Sequence, residues 1–351
     1  MTRIEGRKAD HINICLEQNV SAESRYWDDI RFIHEALPEI DYDEIDTTSY
    51  VLGKRLEFPL IVTAITGGFE GAERINANIA EACADLGIGM GVGSERAAIE
   101  GVERKSYEVI KEYDVPLVIG NVGAPQLIDQ NSRKGFTRDD ISDAMGIIDA
   151  DVMAVHLNYL QESVQPEGDM RSAGCYDSIR SLAKDFPVIV KETGAGISAS
   201  TMRRLNGTGI IGIDIGGAGG TSFSAIEMHR AEAAGDALKA ELGCTFFDWG
   251  IPATVSLLSA DTDLPLIASG GVLTGLDIAR SIAMGAVCAG GARFILKEAT
   301  ESADAVKDVL KLMKEELKTA MMLTGSRTIQ DLSRAEYVVL GETRQWMEGI
   351  E

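Results

Sequence analysis

The chain has 351 residues, a length that suits two average domains or one α/β barrel with additions. Hydrophobic residues make up 45%, enough for a large core, while 33 Lys plus Arg face 55 Asp plus Glu for a formal net charge of -22. So acidic a surface repels nucleic acid and anionic membranes, yet admits a phosphorylated small molecule wherever local cations outvote the global field. Five scattered cysteines, Cys15, Cys83, Cys175, Cys244 and Cys288, fit reduced thiols in a cytoplasmic protein and give no metal clip. No secretion signal is evident at the charged N-terminus, and no apolar run approaches a membrane span.

Residues 1–58 read as a polar extension, with an amphipathic helix expected from Tyr26 to Leu37 and ended near Pro38. From Pro59 a strand-helix rhythm begins. Strand-like runs fall at 59–64, 88–92, 116–121, 152–155, 187–191, 210–215, 264–269 and 286–289. Helical patterns follow at 72–85, 103–113, after Thr137 as N-cap, 175–186, 198–205, 254–260, 275–284 and 303–323. A long irregular insertion is expected over 216–244, and a polar C-terminus closes the chain.

Each strand is rich in Val and Ile on consecutive positions, as expected of parallel strands covered on both faces. Eight of them predict a closed (β/α)₈ TIM barrel over 59–351, with the N-terminal extension over its mouth and a C-terminal helical tail. The competing open doubly wound sheet lacks its G-x-G-x-x-G fingerprint after the first strand.

In such a barrel, chemistry collects at the carboxyl ends of the strands. The fourth strand leads into His156-Leu157-Asn158-Tyr159-Leu160-Gln161-Glu162. That stretch combines a proton-transfer candidate, two amides and a carboxylate suited to a hard cation. A polar loop capping a helix is the plain alternative. After the seventh and eighth strands come Ser269-Gly270-Gly271 and Gly290-Gly291-Ala292-Arg293, where backbone N–H groups and a guanidinium suit a phosphate. The fifth strand ends in Lys191, which suits a Schiff base, a phosphate, a flavin ring or an ion pair with a nearby acid. Gly216 to Ser222 reads as a ligand-hugging loop. Arg7, Lys8, His11 and Arg96 form a second cationic pocket if the extension folds over the mouth.

Arg7-Lys8-Ala9-Asp10-His11, Ala64-Ile65-Thr66-Gly67-Gly68, Gly93-Ser94-Glu95-Arg96, His156-Leu157-Asn158 with Gln161-Glu162, Ser269-Gly270-Gly271 and the Thr324–Thr343 tail together resemble the FMN-dependent type 2 isopentenyl-diphosphate delta-isomerases. The likeness covers nearly the whole chain. It implies a cytoplasmic homo-oligomer, tetramer or octamer, that interconverts isopentenyl and dimethylallyl diphosphate with FMN, Mg²⁺ and NADPH as flavin reductant, and with no net redox change. It implies FMN contacts from Ala64, Ile65, Thr66, Ser94, Asn121, Lys191 and Thr221, with Gly270, Gly271, Ala292 and Arg293 on the FMN phosphate. Arg7, Lys8, His11, Arg96, His156 and Asn158 would hold the diphosphate, Gln161 would sit by the reacting carbons, and Glu162 would bind Mg²⁺. Gln161, His156 and Lys191 are the implied catalytic residues. Two departures stand out: Glu95 where Gln is expected, and Leu273 where Arg or Gln is common. A 2-hydroxyacid oxidase would share the phosphate glycines and the flavin Lys, but needs a His base with an Arg pair for a carboxylate. A phosphometabolite-binding barrel with a decayed site is the non-enzymatic alternative.

Overall fold

The computed structural model describes residues 3–131 and 133–350, with the side chains of 3–5 left aside. Residues 1, 2 and 351, the outer bounds of the two expected regions, lie outside it. Eight parallel strands close into a barrel. They are β1 (Leu60–Val62), β2 (Gly89–Gly91), β3 (Val118–Gly123), β4 (Val152–Leu157), β5 (Val188–Glu192), β6 (Gly212–Asp214), β7 (Leu266–Ser269) and β8 (Cys288–Gly291). Neighbours in sequence are neighbours in the barrel, and β8 pairs with β1.

Side chains alternate across a strand, so one set fills the barrel and the other meets the helices. Ile61, Ile119, Val152, Ala154, Ile189, Ile267 and Cys288 form the inner core. A hairpin of Ser49–Val51 and Lys54–Leu56 adds Val51 and Leu56 to this core. The same alternation turns Asn121, His156, Lys191, Asp214 and Ser269 inward at the other end. His156 pairs with Lys191, and Lys191 with Asp214, across the ladder. A polar layer thus sits on the apolar plug at the C-terminal rim, where barrel chemistry collects.

Several expected elements differ. Tyr26–Leu37 is not a helix: a 3₁₀ turn, Tyr26–Asp29, leads into a strand, Ile30–Phe32, which pairs antiparallel with Tyr337–Val339. Trp27 and Ile30 have helix-like spacing, but both are fully buried and the pairing partner lies some 300 residues onward in the chain. The 216–244 insertion holds two helices, Phe223–Ala234 and Ala237–Thr245. Ser222 and Asp236 cap them by accepting from Ala225 N and Lys239 N. The first of these packs against both the Arg3–Glu17 helix and the Tyr159–Val164 helix, so its apolar residues form no single stripe. The 103–113 pattern breaks into Lys105–Glu108 and a 3₁₀ turn, Val109–Glu112. The C-terminus forms a further helix, Gly341–Ile350. Thr137 caps its helix in a reciprocal box with Asp140.

Candidate active site

The rim encloses a cavity of about 390 Å³, within the range of small-molecule sites. Arg7, Lys8, His11, Ala64, Ile65, Thr66, Ser94, Arg96, Asn121, His156, Asn158, Gln161, Glu162, Lys191, Thr221, Gly270, Gly271, Ala292 and Arg293 all line it. Arg7, Lys8 and His11 reach it from the Arg3–Glu17 helix, which lies against the barrel mouth.

One wall is rich in backbone donors. Gly270 (φ +101°) and Gly271 (φ +79°) follow β7 in a conformation few other residues adopt. A Cβ on either would strike the carbonyl of Gly217 or Gly219, so these glycines let the β6 and β7 loops touch. Among the described residues, none accepts the N–H of Gly270, Gly271 or Ala292, nor of Ala64, Ile65 or Thr66. Backbone donors without internal partners suit an anion or a polar ring edge. The N-terminal extension supports this wall: Trp27 Nε1 donates to Gly270 O at 2.8 Å, and Ala22 N to Gly220 O at 2.8 Å.

Lys191 stands in the inner layer. Its ammonium donates to Asp214 at 3.1 Å and to the Glu192 carbonyl at 3.1 Å. Its acid partner is therefore Asp214 on the next strand. Asp214 also accepts from Ser269 Oγ. Glu192 points the other way, and its Oε2 accepts three successive backbone N–H groups, from Thr193, Gly194 and Ala195. Burial outweighs those bonds and pushes its carboxyl up to about 7.

His156 is in the last turn of β4, one position before the strand's end, rather than after the strand. Asn121 Nδ2 donates to Val92 O at 3.0 Å, which fixes the amide so that Oδ1 faces His156 Nδ1 at 2.8 Å. Nδ1 must then carry the proton. Burial, with Lys191, Lys8 and Arg7 nearby, lowers this imidazole to about 3. His156 is therefore neutral near pH 7 with Nε2 as an acceptor, and it is a weak base.

Asn158 is the N-cap residue of the Tyr159–Val164 helix, but its side chain makes no capping bond; its Nδ2 donates to Gln161 Oε1 at 3.2 Å and Glu162 Oε1 at 3.0 Å. Gln161 Nε2 in turn donates to Glu227 Oε1 at 3.1 Å. Glu227 also accepts from His11 Nε2 at 2.9 Å and Arg230 Nη1 at 2.5 Å. Burial drives its carboxyl up, but the bond and charge of His11 and the charge of Arg230 win and hold it at about 2. Glu162 Oε2 accepts from Asp169 N at 2.7 Å and from Gln165 Nε2. Burial raises the Glu162 carboxyl, partly offset by the bonds from Asp169 N and Asn158.

Among the described residues, no three His, Cys, Asp or Glu side chains cluster as a metal cage. Asn158 Oδ1 and Gln165 Oε1 are nevertheless buried without partners, on the two side chains that grip Glu162. One carboxylate with two spare amide oxygens is the donor chemistry of a Mg²⁺ completed by water and phosphate.

Burial pushes Glu95 up to about 8, so it is protonated and neutral near pH 7. Its Oε2 takes the Asn121 N–H at 2.8 Å. The negative charge that an acid at this position brings to the neighbouring cations is thereby reduced. Burial and the Arg7 charge lower Lys8 to about 7, while its ammonium nitrogen reaches Ser94 O at 2.7 Å and Tyr107 Oη at 2.5 Å. Glu227, Asp169, Gln165 and Asp214 were missed by sequence reasoning. Glu227 fell in the supposed irregular insertion, although the Ser222 cap and the Glu227–Arg230 spacing were signals of a helix.

The model of the FMN-dependent dehydrogenase family matches residues 158–339. Relatives named isopentenyl-diphosphate delta-isomerase are 43% identical in Picrophilus torridus (98% of this chain, 99% of that one) and 44% identical in Thermoplasma volcanium (98% and 99%). Another, from Methanothrix thermoacetophila, is 46% identical over 97% of this chain and 95% of its own. Among solved structures, a mandelate oxidase variant with 4-Br-2-hydroxy-methylphenylacetate matches at 16% identity and TM-score 0.62, covering 97% of this chain and 100% of that one. At that identity the likeness is one of fold.

Proposed function

The chain belongs to the isopentenyl-diphosphate delta-isomerase family and is such an enzyme, and we propose that it shifts the double bond of isopentenyl diphosphate to give dimethylallyl diphosphate by a 1,3-allylic proton transfer, using reduced FMN and Mg²⁺. The observation that carries this reading is a single cavity with three chemistries: free backbone donors beside Arg293, Lys191 in the inner layer, and a cation group with Gln161 and Glu162.

An isolated alkene is a very weak base, so proton addition needs a held geometry and a stabilised developing charge. Reduced FMN supplies an electron-rich ring with an N–H able to give and take a proton. Gly270, Gly271, Ala292 and Arg293 would hold its phosphate, Ala64, Ile65, Thr66, Ser94, Asn121 and Thr221 its remaining edges, and Lys191 its negative charge. Arg7, Lys8, His11 and Arg96 would bind the diphosphate directly, Asn158 would meet it through the metal, and His156 would join them once the diphosphate charge draws a proton onto Nε2. Glu162, with Asn158 Oδ1 and Gln165 Oε1, would hold Mg²⁺ and offset diphosphate charge.

Gln161 is held at both ends, its N–H toward Glu227 and its oxygen toward Asn158. A carboxamide is a poor acid, so its part is to orient a proton beside the reacting carbons. NADPH would reduce the cofactor and is not consumed in each turnover.

A 2-hydroxyacid oxidase reading has only the fold in its favour. Its base would follow β7, where this chain carries Gly270 and Gly271. Neither His34 nor His229 lines the cavity, His11 Nε2 is engaged by Glu227, and the lowered His156 imidazole is a weak base. The isomerase reading brings with it a cytoplasmic tetramer or octamer, with 1–58 as an extension over the 59–351 barrel. Among the described residues, no helix is long and apolar enough to cross a membrane.

The test is Gln161→Ala and Glu162→Ala, each assayed with reduced FMN. Turnover falls sharply in both if the assignment holds. Wild-type turnover in both would overturn it.

A further inference from the structure

This inference rests on the diphosphate reading above and asks what Arg96 must give up to serve it. Arg96 is already engaged: its Nε donates to Glu100 at 2.9 Å and its Nη1 to Asp169 Oδ2 at 3.2 Å. The same Asp169 oxygen accepts from Arg133 Nε at 3.2 Å, Arg133 Nη2 at 3.0 Å and Gln126 Nε2 at 3.4 Å. Two guanidinium groups and an amide therefore converge on one carboxylate oxygen.

The three charged groups differ in freedom. The Arg133 side chain is 13% exposed and is tied to Pro125 O at 2.9 Å and Gln126 O at 3.3 Å. Asp169 is 11% exposed, and its backbone N–H binds Glu162. Both are built into the wall behind the cavity. Arg96 lines the cavity and is 21% exposed, so it is the member able to turn toward a ligand.

We propose that Asp169 competes with the substrate diphosphate for Arg96, and that Arg133 is a positioning residue that weakens this competition. When diphosphate takes Arg96, Asp169 is left in a wall where an unpaired carboxylate is costly. Arg133 keeps it paired, so Arg96 is released at lower cost. Asp169 thus pulls against binding, while Arg133, although it touches no substrate, favours it.

Opposite signs make the proposal testable. Holoenzyme carrying FMN is titrated calorimetrically with inorganic pyrophosphate, without divalent cation. Asp169→Asn is expected to bind about fivefold more tightly and Arg133→Gln about fivefold more weakly. Arg133→Lys, which keeps the charge, stays close to the unaltered enzyme. The double variant matches Asp169→Asn, because Arg133 acts through Asp169. Thermal melting of each variant separates loss of fold from loss of binding. Both single variants weakening pyrophosphate alike, or a double variant that keeps the Arg133→Gln defect, overturns the proposal and leaves the diphosphate reading standing. Pyrophosphate that binds the unaltered holoenzyme neither without nor with Mg²⁺ overturns the diphosphate reading itself.

Discussion

Gln161 has no freedom to choose which way its amide faces. Glu227 accepts its N–H, Asn158 donates to its oxygen, and His11 and Arg230 hold Glu227 ionised. Replacing Glu227 by Gln removes that bias, because a carboxamide there can donate as well as accept. The expected outcome is a loss in kcat of roughly 10²-fold, the scale of a misplaced reacting group, with the bound-flavin spectrum unchanged. An unaltered kcat would remove Glu227 from the account.

Lys8 makes a pH prediction. Buried beside Arg7, it is lowered to about 7. A diphosphate alongside favours the charged ammonium and raises that value in the complex. Binding therefore takes up a proton wherever the uncomplexed Lys8 is neutral. Affinity is full below about pH 7 and falls as pH climbs through the raised value, so KM rises on the alkaline side. Lys8→Arg, which does not titrate there, flattens the rise. A KM profile identical in both proteins would contradict this. At this scale the sequence was informative: the residues implied for the site share one cavity. Their second partners were not legible, because Glu227, Asp169 and Asp214 reach the site only through folding of distant segments.

At the scale of elements, the Tyr26–Asp29 turn braces the loop after β7. Trp27 is fully buried and bonds Gly270 O, in the turn assigned to the cofactor phosphate. Trp27→Phe keeps most of the ring and loses one hydrogen bond, worth about 1 kcal/mol. FMN affinity measured by flavin fluorescence is expected to fall about fivefold. Undiminished affinity would reduce Trp27 to packing. The barrel strands were legible because each is a short apolar run buried on both faces, a signal held within six residues. Ile30–Phe32 was not, because its pairing with Tyr337–Val339 joins the two ends of the chain. Local spacing reads as helix wherever the partner is that far away. The helices at Phe223 and Ala237 escaped notice for another reason. Contacts with two other helices erase the stripe of the Phe223 helix, and the Ala237 helix buries only Gly243, although their Ser and Asp caps stood in plain sequence.

For the molecule as a whole, closure is the decisive fact. A ring of strands, with the Arg3–Glu17 helix across its mouth, brings residues from Arg7 to Arg293 to one rim, and a chain of net charge -22 places several of its cations there. Family membership makes the enzyme an isomerase. What remains to be tested is how the cavity performs the shift. The most direct measurement is an anaerobic assay of isopentenyl diphosphate with FMN, Mg²⁺ and NADPH, omitting one component at a time and counting NADPH consumed per dimethylallyl diphosphate formed. The account predicts turnover that requires reduced FMN and Mg²⁺, with many products per NADPH. One NADPH oxidised per product, or full turnover without flavin, would contradict it.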